Sequence, residues 1–440
     1  MSAERDNNRE ATPGNVKITS AIIVNAEGKG VNIKDIIHSI DIFEDISNAF
    51  ISGNVLVGDS ISLSEVLPLQ GEEMIVFELE TPGFTEDGKA ESDLNYKRVF
   101  TVHLYKMEMK ENISLKHVLY QLSFMSLDAV RDMNKKISRT FRGRVSDIAK
   151  QILEEESYLG TNKELLIEPS SNNTAFTANF WTPSKCLMFA AERALSDMNN
   201  PNYLFFENAE GFTFASLDAL YSYAPVTRIV RDQRPRPVNQ DESNDIEQEW
   251  SKILDISVSD QYNYIHRATS GMYGSTIYSW DSETKKLNYK TVDGWRDYGE
   301  SRIRLNADLP VKANRNVDTG EAPTPFLPEA CMFTEVTSLN NYNGAPTHAI
   351  EMSQRRATIL NQAQFNKISV QVFGRFDYTV GRTIDVIIYA DREMLEGDDP
   401  AEAFDKVLTG RYLITAVNHS ITRTAHYTNM ELCKDSYTAL

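Results

Sequence analysis

Tyr427-Thr-Asn-Met-Glu-Leu-Cys433-Lys-Asp-Ser closes a stretch, residues 349–436, in which a helix rich in Gln and Arg over 349–364 runs into four β-rich segments. Those segments, Lys367 to Phe373, Thr383 to Tyr389, Tyr412 to Ile421 and Tyr427 to Leu432, alternate apolar and polar residues, the period of a half-buried strand. Their succession predicts a small closing β-barrel and not an active site.

The other end of the chain has the same texture. Ile18 to Val24, Ile36 to Phe43, Ser52 to Val57, Met74 to Glu80, Val99 to Met107 and Lys116 to Phe124 read as strands, with turn residues at Gly58-Asp59 and Pro82-Gly83. The polar run Glu86 to Asn95 reads as a hairpin tip, and the group predicts a first antiparallel barrel. Between the two ends the period lengthens to that of a helix. Val145, Ile148, Ala149, Ile152 and Leu153 share one face, and Thr182 as N-cap with Pro183 behind it starts a second helix that carries Leu187, Ala190, Ala191, Ala194 and Leu195. Strands are expected at Glu164 to Ile167, Ala175 to Phe180, Tyr203 to Phe206 and Gly211 to Ala215. Pro225 to Asn239, with Arg228, Arg231, Arg234 and Arg236, reads as an extended connector followed by the acidic run Asp241 to Glu249. The aromatic-rich text from Tyr262 to Tyr298 and the proline-rich 305–328 read as an insertion.

The expected fold is therefore α+β and mainly β: two small antiparallel β-barrel domains flanking an α+β domain, with an inserted β-rich segment. The units are a flexible arm at 1–15, a first barrel at 16–126, the α+β domain at 127–225, a second barrel from 226–262 and 334–440, and the insertion at 263–333.

Composition narrows the function. With 440 residues, 41% hydrophobic and 25% charged, the chain has the make-up of a folded multidomain protein. A net charge of −18 disfavours tight binding to nucleic acid or to an anionic membrane. Cys186, Cys331 and Cys433 have no clamp spacing and read as buried thiols from a reducing compartment, which points to synthesis in a cytoplasm. The N-terminus has no signal-type apolar core and no segment has the length of a membrane span, so no membrane insertion is expected.

The common catalytic signatures are missing from the sequence: no phosphate loop, no nucleophile elbow and no zinc-binding helix. His419 and His426 form the one close histidine pair; on facing strands they could hold a metal, but no Cys or carboxylate cluster completes the site, so a packed pair is the expectation. Asp41, Glu44 and Asp45 gather near one strand end, as glycosidase carboxylates do and as charged turns also do. The acidic runs around Asp241 and Asp398 lack the spacing of a calcium loop. Two stretches read as contact surfaces. The loop Asp391 to Asp405 sets Met394, Leu395 and Phe404 in acidic text, and the basic stretch Lys135, Lys136, Arg139, Arg142 and Arg144 suits a salt-bridged subunit contact better than nucleic acid. The alternative for the loop is that it folds its apolar residues back on its own barrel.

Three groups of residues carry a family resemblance. Phe141-Arg-Gly-Arg-Val-Ser-Asp-Ile-Ala-Lys-Gln-Ile-Leu, Asn179-Phe-Trp-Thr-Pro and Tyr203-Leu-Phe-Phe-Glu-Asn-Ala-Glu-Gly-Phe-Thr-Phe-Ala-Ser-Leu-Asp lie in the middle. Gly381-Arg-Thr-Ile-Asp-Val-Ile-Ile, Gly410-Arg-Tyr-Leu-Ile-Thr-Ala-Val-Asn-His and Thr428-Asn-Met-Glu-Leu-Cys-Lys-Asp-Ser lie at the end, and Ser47 to Asp59 near the start. Together they resemble the central hub protein of contractile bacteriophage baseplates, a family related to the hub part of type VI secretion spikes. The resemblance implies a homotrimer whose two barrels per chain make a six-part ring, joining a threefold central spike to a sixfold tail tube or tube initiator. It further implies a virion baseplate location, contacts with wedge proteins, an axial channel for DNA, and no enzymatic activity, cofactor or metal. Because the sequence ends shortly after the last strand, no fused spike is expected. The rival expectations are a cell-wall-degrading, carbohydrate-active enzyme of a tail and a host-binding module at a tail tip.

Overall fold

The first and last β-rich parts meet strand to strand. In the computed structural model, which describes residues 13–60, 63–67, 69–84, 90–114, 117–231, 249–260, 266, 269–272, 275–281, 285–292, 331–336, 348–390 and 403–436, the chain is α+β and mainly β. The first part holds β1 (Lys17–Val24), β2 (Gly30–Asn32), β3 (Ile37–Asp45), β4 (Ser52–Asp59), β5 (Met74–Phe84), β6 (Ala90–Ser114) and β7 (His117–Ser126), with a short helix α1 (Leu63–Val66). Alternation makes these strands: Ile40 and Ile42 of β3 and Val55 and Val57 of β4 turn to one core, which also takes Phe77, Phe100 and Phe124.

The middle part holds α2 (Leu127–Asn134), β8 (Ile137–Arg144), α3 (Val145–Glu154), β9 (Leu165–Ile167), β10 (Asn173–Trp181), α4 (Pro183–Ala191), β11 (Tyr203–Asn208), β12 (Gly211–Ser216) and α5 (Leu217–Ser222). β8 pairs with β10, and β11, β12 and β9 form a second small sheet. Both pack on α3 and α4 around Phe141, Ile148, Ile152, Phe176, Leu187 and Phe214. Thr182 caps α4 by accepting the Lys185 N–H at 3.3 Å. The helix stops at Ala191, earlier than its apolar periodicity suggests. Asn172 is the reason: its amide donates to the Arg193 carbonyl at 2.8 Å while its Oδ1 accepts the Leu195 N–H at 2.9 Å, which holds that backbone out of the helix.

The closing part comprises β13 (Arg228–Arg231), β14 (Ile253–Asp260), a three-stranded piece of β15 (Ser275–Asp281), β16 (Lys286–Val292) and β17 (Cys331–Val336), the helix α6 (His348–Ala363), and then β18 (Asn366–Phe373), β19 (Thr383–Ile388), β20 (Gly410–Thr422) and β21 (His426–Lys434). Within the arginine-rich connector, Arg228–Arg231 form a strand, since β13 lies parallel to β19. Arg356 ties α6 to the middle part by donating to the carbonyls of Pro201 at 3.0 Å and Tyr203 at 2.9 Å. Tyr278 and Tyr289 of the insertion face each other at 6.3 Å, and Tyr289 stays 74% exposed. Tyr273, Trp295, Tyr298, Arg234 and Arg236 lie outside the described residues.

β20 is long enough to serve two neighbours along one edge. Its first residues pair with β19, and its later ones pair antiparallel with β3 from Ala416↔Asp45 to Thr422↔Ser39. The result is one 13-stranded sheet running from β14 through β18, β21, β20, β3, β4, β7, β6, β5 and β1 to β2, with β19 and β13 branching from β20. Closure of either β-rich part into a barrel is not detected among the described residues. The edges of β3 and β20 instead satisfy each other, which removes two unpaired backbone rows.

Gly53 makes the seam region compact. A Cβ there would lie 2.2 Å from the Asp41 carbonyl oxygen and 2.3 Å from the Phe124 ring. Gly53→Ala is therefore expected to push β4 off β3 and cost roughly 1–3 kcal/mol, in the range of overpacked core positions. Urea unfolding followed by tryptophan fluorescence checks this; an unchanged midpoint would refute it.

Candidate functional site

The seven-residue segment from Arg375 to Gly381, itself in the closing part, touches both other parts of the chain. Arg375 donates to the Tyr96 hydroxyl of β6 at 3.0 Å and is held by Asp377 at 2.5 Å. Phe376 packs its ring 4.6 Å from His426 and 5.5 Å from His419. Thr379 donates its hydroxyl to Glu44 at 2.6 Å, and the Val380 N–H reaches the same carboxylate oxygen at 3.2 Å. Asn208 of β11 donates to the Val380 carbonyl at 3.1 Å. Gly381 ends the segment with φ +83°, where a Cβ would sit 2.6 Å from the Phe206 ring, so both backbone angle and space call for glycine.

Glu44 is the point where the three parts meet. It lies on β3, is buried, and accepts the Ala209 N–H at 3.1 Å as well as Thr379 and Val380. Burial pushes its carboxyl up to about 7, against the pull of those three donors, with the Glu207 carboxylate adding in the same direction. Asp41 and Asp45 occupy the opposite face of the strand from Glu44, where Asp45 accepts the Ser47 N–H at 2.7 Å. The three acids do not converge on one cleft.

Two further carboxylates bind the same parts. Glu207 accepts the Ile51 N–H at 3.1 Å and the Ser126 hydroxyl at 2.9 Å and pairs with Lys163, while burial pushes it up and Lys163 draws it down. Glu210 bridges Arg382 at 2.5 Å and Arg98 at 3.9 Å. In every case an acid from one unit is matched by donors from another.

The histidine pair belongs to this junction and is packed, as the sequence suggested. His419 Nε2 lies 3.1 Å from the Tyr378 carbonyl, which only accepts, so that nitrogen carries the proton. His419 Nδ1 then accepts from His426 Nε2 at 3.0 Å and from the Thr428 hydroxyl at 3.2 Å. Burial pushes His419 down to about 4 and His426 well below its ordinary value, with His419 adding to the fall. Both rings are neutral near pH 7. Among the described residues no group of three His, Cys, Asp or Glu gathers in metal-binding geometry.

The sequence-picked contact residues are dispersed. Arg139 turns to the inner side of β8, donating to the Tyr158 hydroxyl at 2.6 Å with its guanidinium 5.8 Å from the Phe141 ring. Arg142 and Arg144 stand exposed on the outer side of the β8–β10 ribbon. Phe404 is half-buried at the foot of its loop, 5.1 Å from Tyr389, the fold-back alternative for this side chain. Met394 and Leu395 lie outside the described residues. The polar clasp around Glu44 was missed in the sequence, where Glu44 is one acid among three near a strand end.

A raised carboxyl stabilises the fold below the unfolded-state value near 4.5, and that contribution is lost as pH rises through about 7. The depressed His419 works with the opposite sign, its contribution present above 6.5 and lost as pH falls toward 4. The difference in unfolding free energy between the native chain and Glu44→Gln isolates the first effect. It is expected to shift by roughly 2 kcal/mol against the native chain from pH 5.5 to 8, at about 1.4 kcal/mol per unit. A pH-independent difference in urea titrations would contradict the assignment.

No family model matches the chain. Among individual proteins, it is 24% identical over 435 residues to the probable baseplate hub protein gp334 of Vibrio phage KVP40, covering 97% of this chain and 96% of that one. Among solved structures, the 43 kDa tail protein of prophage MuSo2 from Shewanella oneidensis superposes with a TM-score of 0.52 at 8% identity, over 96% of this chain and 99% of that one. The tail protein of Neisseria meningitidis MC58 gives 0.49 at 13% identity, over 94% and 96%. The chain is thus similar along nearly its whole length to a probable baseplate hub protein of a phage, and it shares the fold of a prophage tail protein.

Proposed function

We propose that the chain is a structural hub of a contractile phage tail baseplate and works through its interfaces. Three copies form a ring in which the two β-rich parts of each chain supply six sheet-built faces around an axis. One side of the ring seats a threefold central spike and the other a sixfold tail tube or its initiator, with wedge proteins at the periphery. The observation that carries this reading is the end-to-end likeness to a probable baseplate hub protein.

The junction supports a mechanical role. Its carboxylates are spent on backbone and side-chain donors of neighbouring parts, which tie the parts to one another. A net charge of −18 suits a conduit that DNA passes without binding. The chain is made and assembled in the host cytoplasm and ends in the virion tail.

Multi-angle light scattering of the purified chain is expected to give about three times 49.8 kDa, alone or after addition of a spike protein. A mass of one chain in both conditions, or release of sugar from purified peptidoglycan, would overturn the reading.

A further inference from the structure

The hairpin of β20 and β21 grips the segment Arg375 to Gly381 through imidazole rings. Three of the four ring nitrogens of His419 and His426 are engaged, on the Tyr378 carbonyl, the Thr428 hydroxyl and each other. The fourth, His426 Nδ1, is buried with no hydrogen-bond partner. The space around it is closed: a Cβ on Gly374 would stand 2.1 Å from the His426 ring, and Phe376, a member of the first core, packs against both rings. The His426 backbone is committed as well, its N–H donating to the Gly14 carbonyl and its carbonyl accepting the Gly374 N–H, each at 2.7 Å. His419 lies in the seam itself, opposite Ile42 of β3.

The charged groups that face the pair offer a proton no counter-ion. From β6, Arg98 adds its own positive field to His419. From the segment, Asp377 is taken by Arg375, which binds both of its oxygens and also reaches the Tyr96 hydroxyl. From β3, Glu44 is turned to Thr379, Val380 and Ala209, and Asp41 stands on the opposite face of the strand. An imidazolium here would be a buried charge without an anion.

We infer that Arg375 to Gly381 is an acid-released latch: protonation of the His419–His426 pair frees the segment and parts the two β-rich ends while the core of the middle part holds. That core, around Phe141, Ile148 and Leu187, contains no residue of the segment. The signs can be worked out group by group. In the open chain each ring takes a proton near 6.5, whereas burial holds both lower when closed, His419 at about 4. Opening therefore takes up protons, and each ring raises the opening constant about tenfold per pH unit of acidification below 6.5. Glu44 opposes them, because it is protonated below about 7 when closed and only below 4.5 when open. Two rings against one carboxyl leave a net rise of about tenfold per unit from about pH 6 to 4.5.

Hydrogen exchange of the full chain, read by mass spectrometry and corrected for the intrinsic pH dependence of exchange, tests the latch. Protection over 374–381 is expected to fall about tenfold per unit across that range while protection in α3 stays level. Glu44→Gln removes the opposing carboxyl and is expected to steepen the fall to about a hundredfold per unit. His419→Gln with His426→Gln is expected to reverse it, so that protection rises about tenfold per unit on acidification. Protection over 374–381 that ignores pH, a slope that Glu44→Gln leaves unchanged, or a slope shared by α3 overturns the latch, and none of these outcomes needs the double histidine variant to fold. A folded double variant that keeps the native slope overturns it too.

Discussion

A buried carboxylate with donors from two other parts of the chain is the constraint around which this molecule is arranged. Glu44 reaches the core only because Thr379, Val380 and Ala209 bring hydrogen to it, and each belongs to a segment far from β3 in sequence. Removing any one part would leave a charge or a backbone amide unsatisfied in the interior, a penalty larger than the net value of the bonds themselves. The three parts are thus tied by polar contacts as well as by apolar ones, since Phe376 and Ile421 of the closing part pack in the first core and Phe206, Leu217 and Leu220 of the middle part pack in the closing one.

The same logic explains how a strongly acidic chain stays compact. Glu44, Glu207 and Asp128 are buried where backbone amides, hydroxyls or Lys163 and Arg131 answer them, and Glu210 draws on arginines from both β-rich ends. Asp59, Glu73, Asp132 and Asp218 are buried in the same way, accepting respectively the Leu63 N–H, the Gln70 and Gly71 N–H groups, the Ser184 N–H and hydroxyl, and the Ser196 hydroxyl with the Asn200 and Asn202 amides. The neutral histidine pair belongs with this arrangement, since a proton on His419 Nδ1 would meet the donors His426 Nε2 and Thr428 Oγ1 at close range.

Much of the strand layout was legible because alternation is a local property: β3, β4, β18, β20 and β21 repeat it cleanly. β8 was not, since Ile137, Phe141 and Val145 stand four residues apart and the exposed Ser138, Arg139 and Thr140 between them hide the strand period. β13 was hidden by its own arginines and the prolines on either side of it, and its partner β19 lies far along the chain. The merging of two β-rich ends into one sheet depends on which edges meet, and a single strand's sequence does not encode its neighbour. The packed histidine pair could be read from its facing spacing, whereas the clasp around Glu44 could not, because its donors are mostly backbone groups that any residue carries.

The shared strand has a mechanical corollary. β3 and β20 run antiparallel over Ser39 to Asp45 and Ala416 to Thr422, so tension applied along their axes loads the whole row of cross-strand bonds in shear, all at once. Tension applied across them would open the row one bond at a time. The molecule is consequently stiff in one direction and peelable in the other, and the direction of greatest resistance is written into the strand axis.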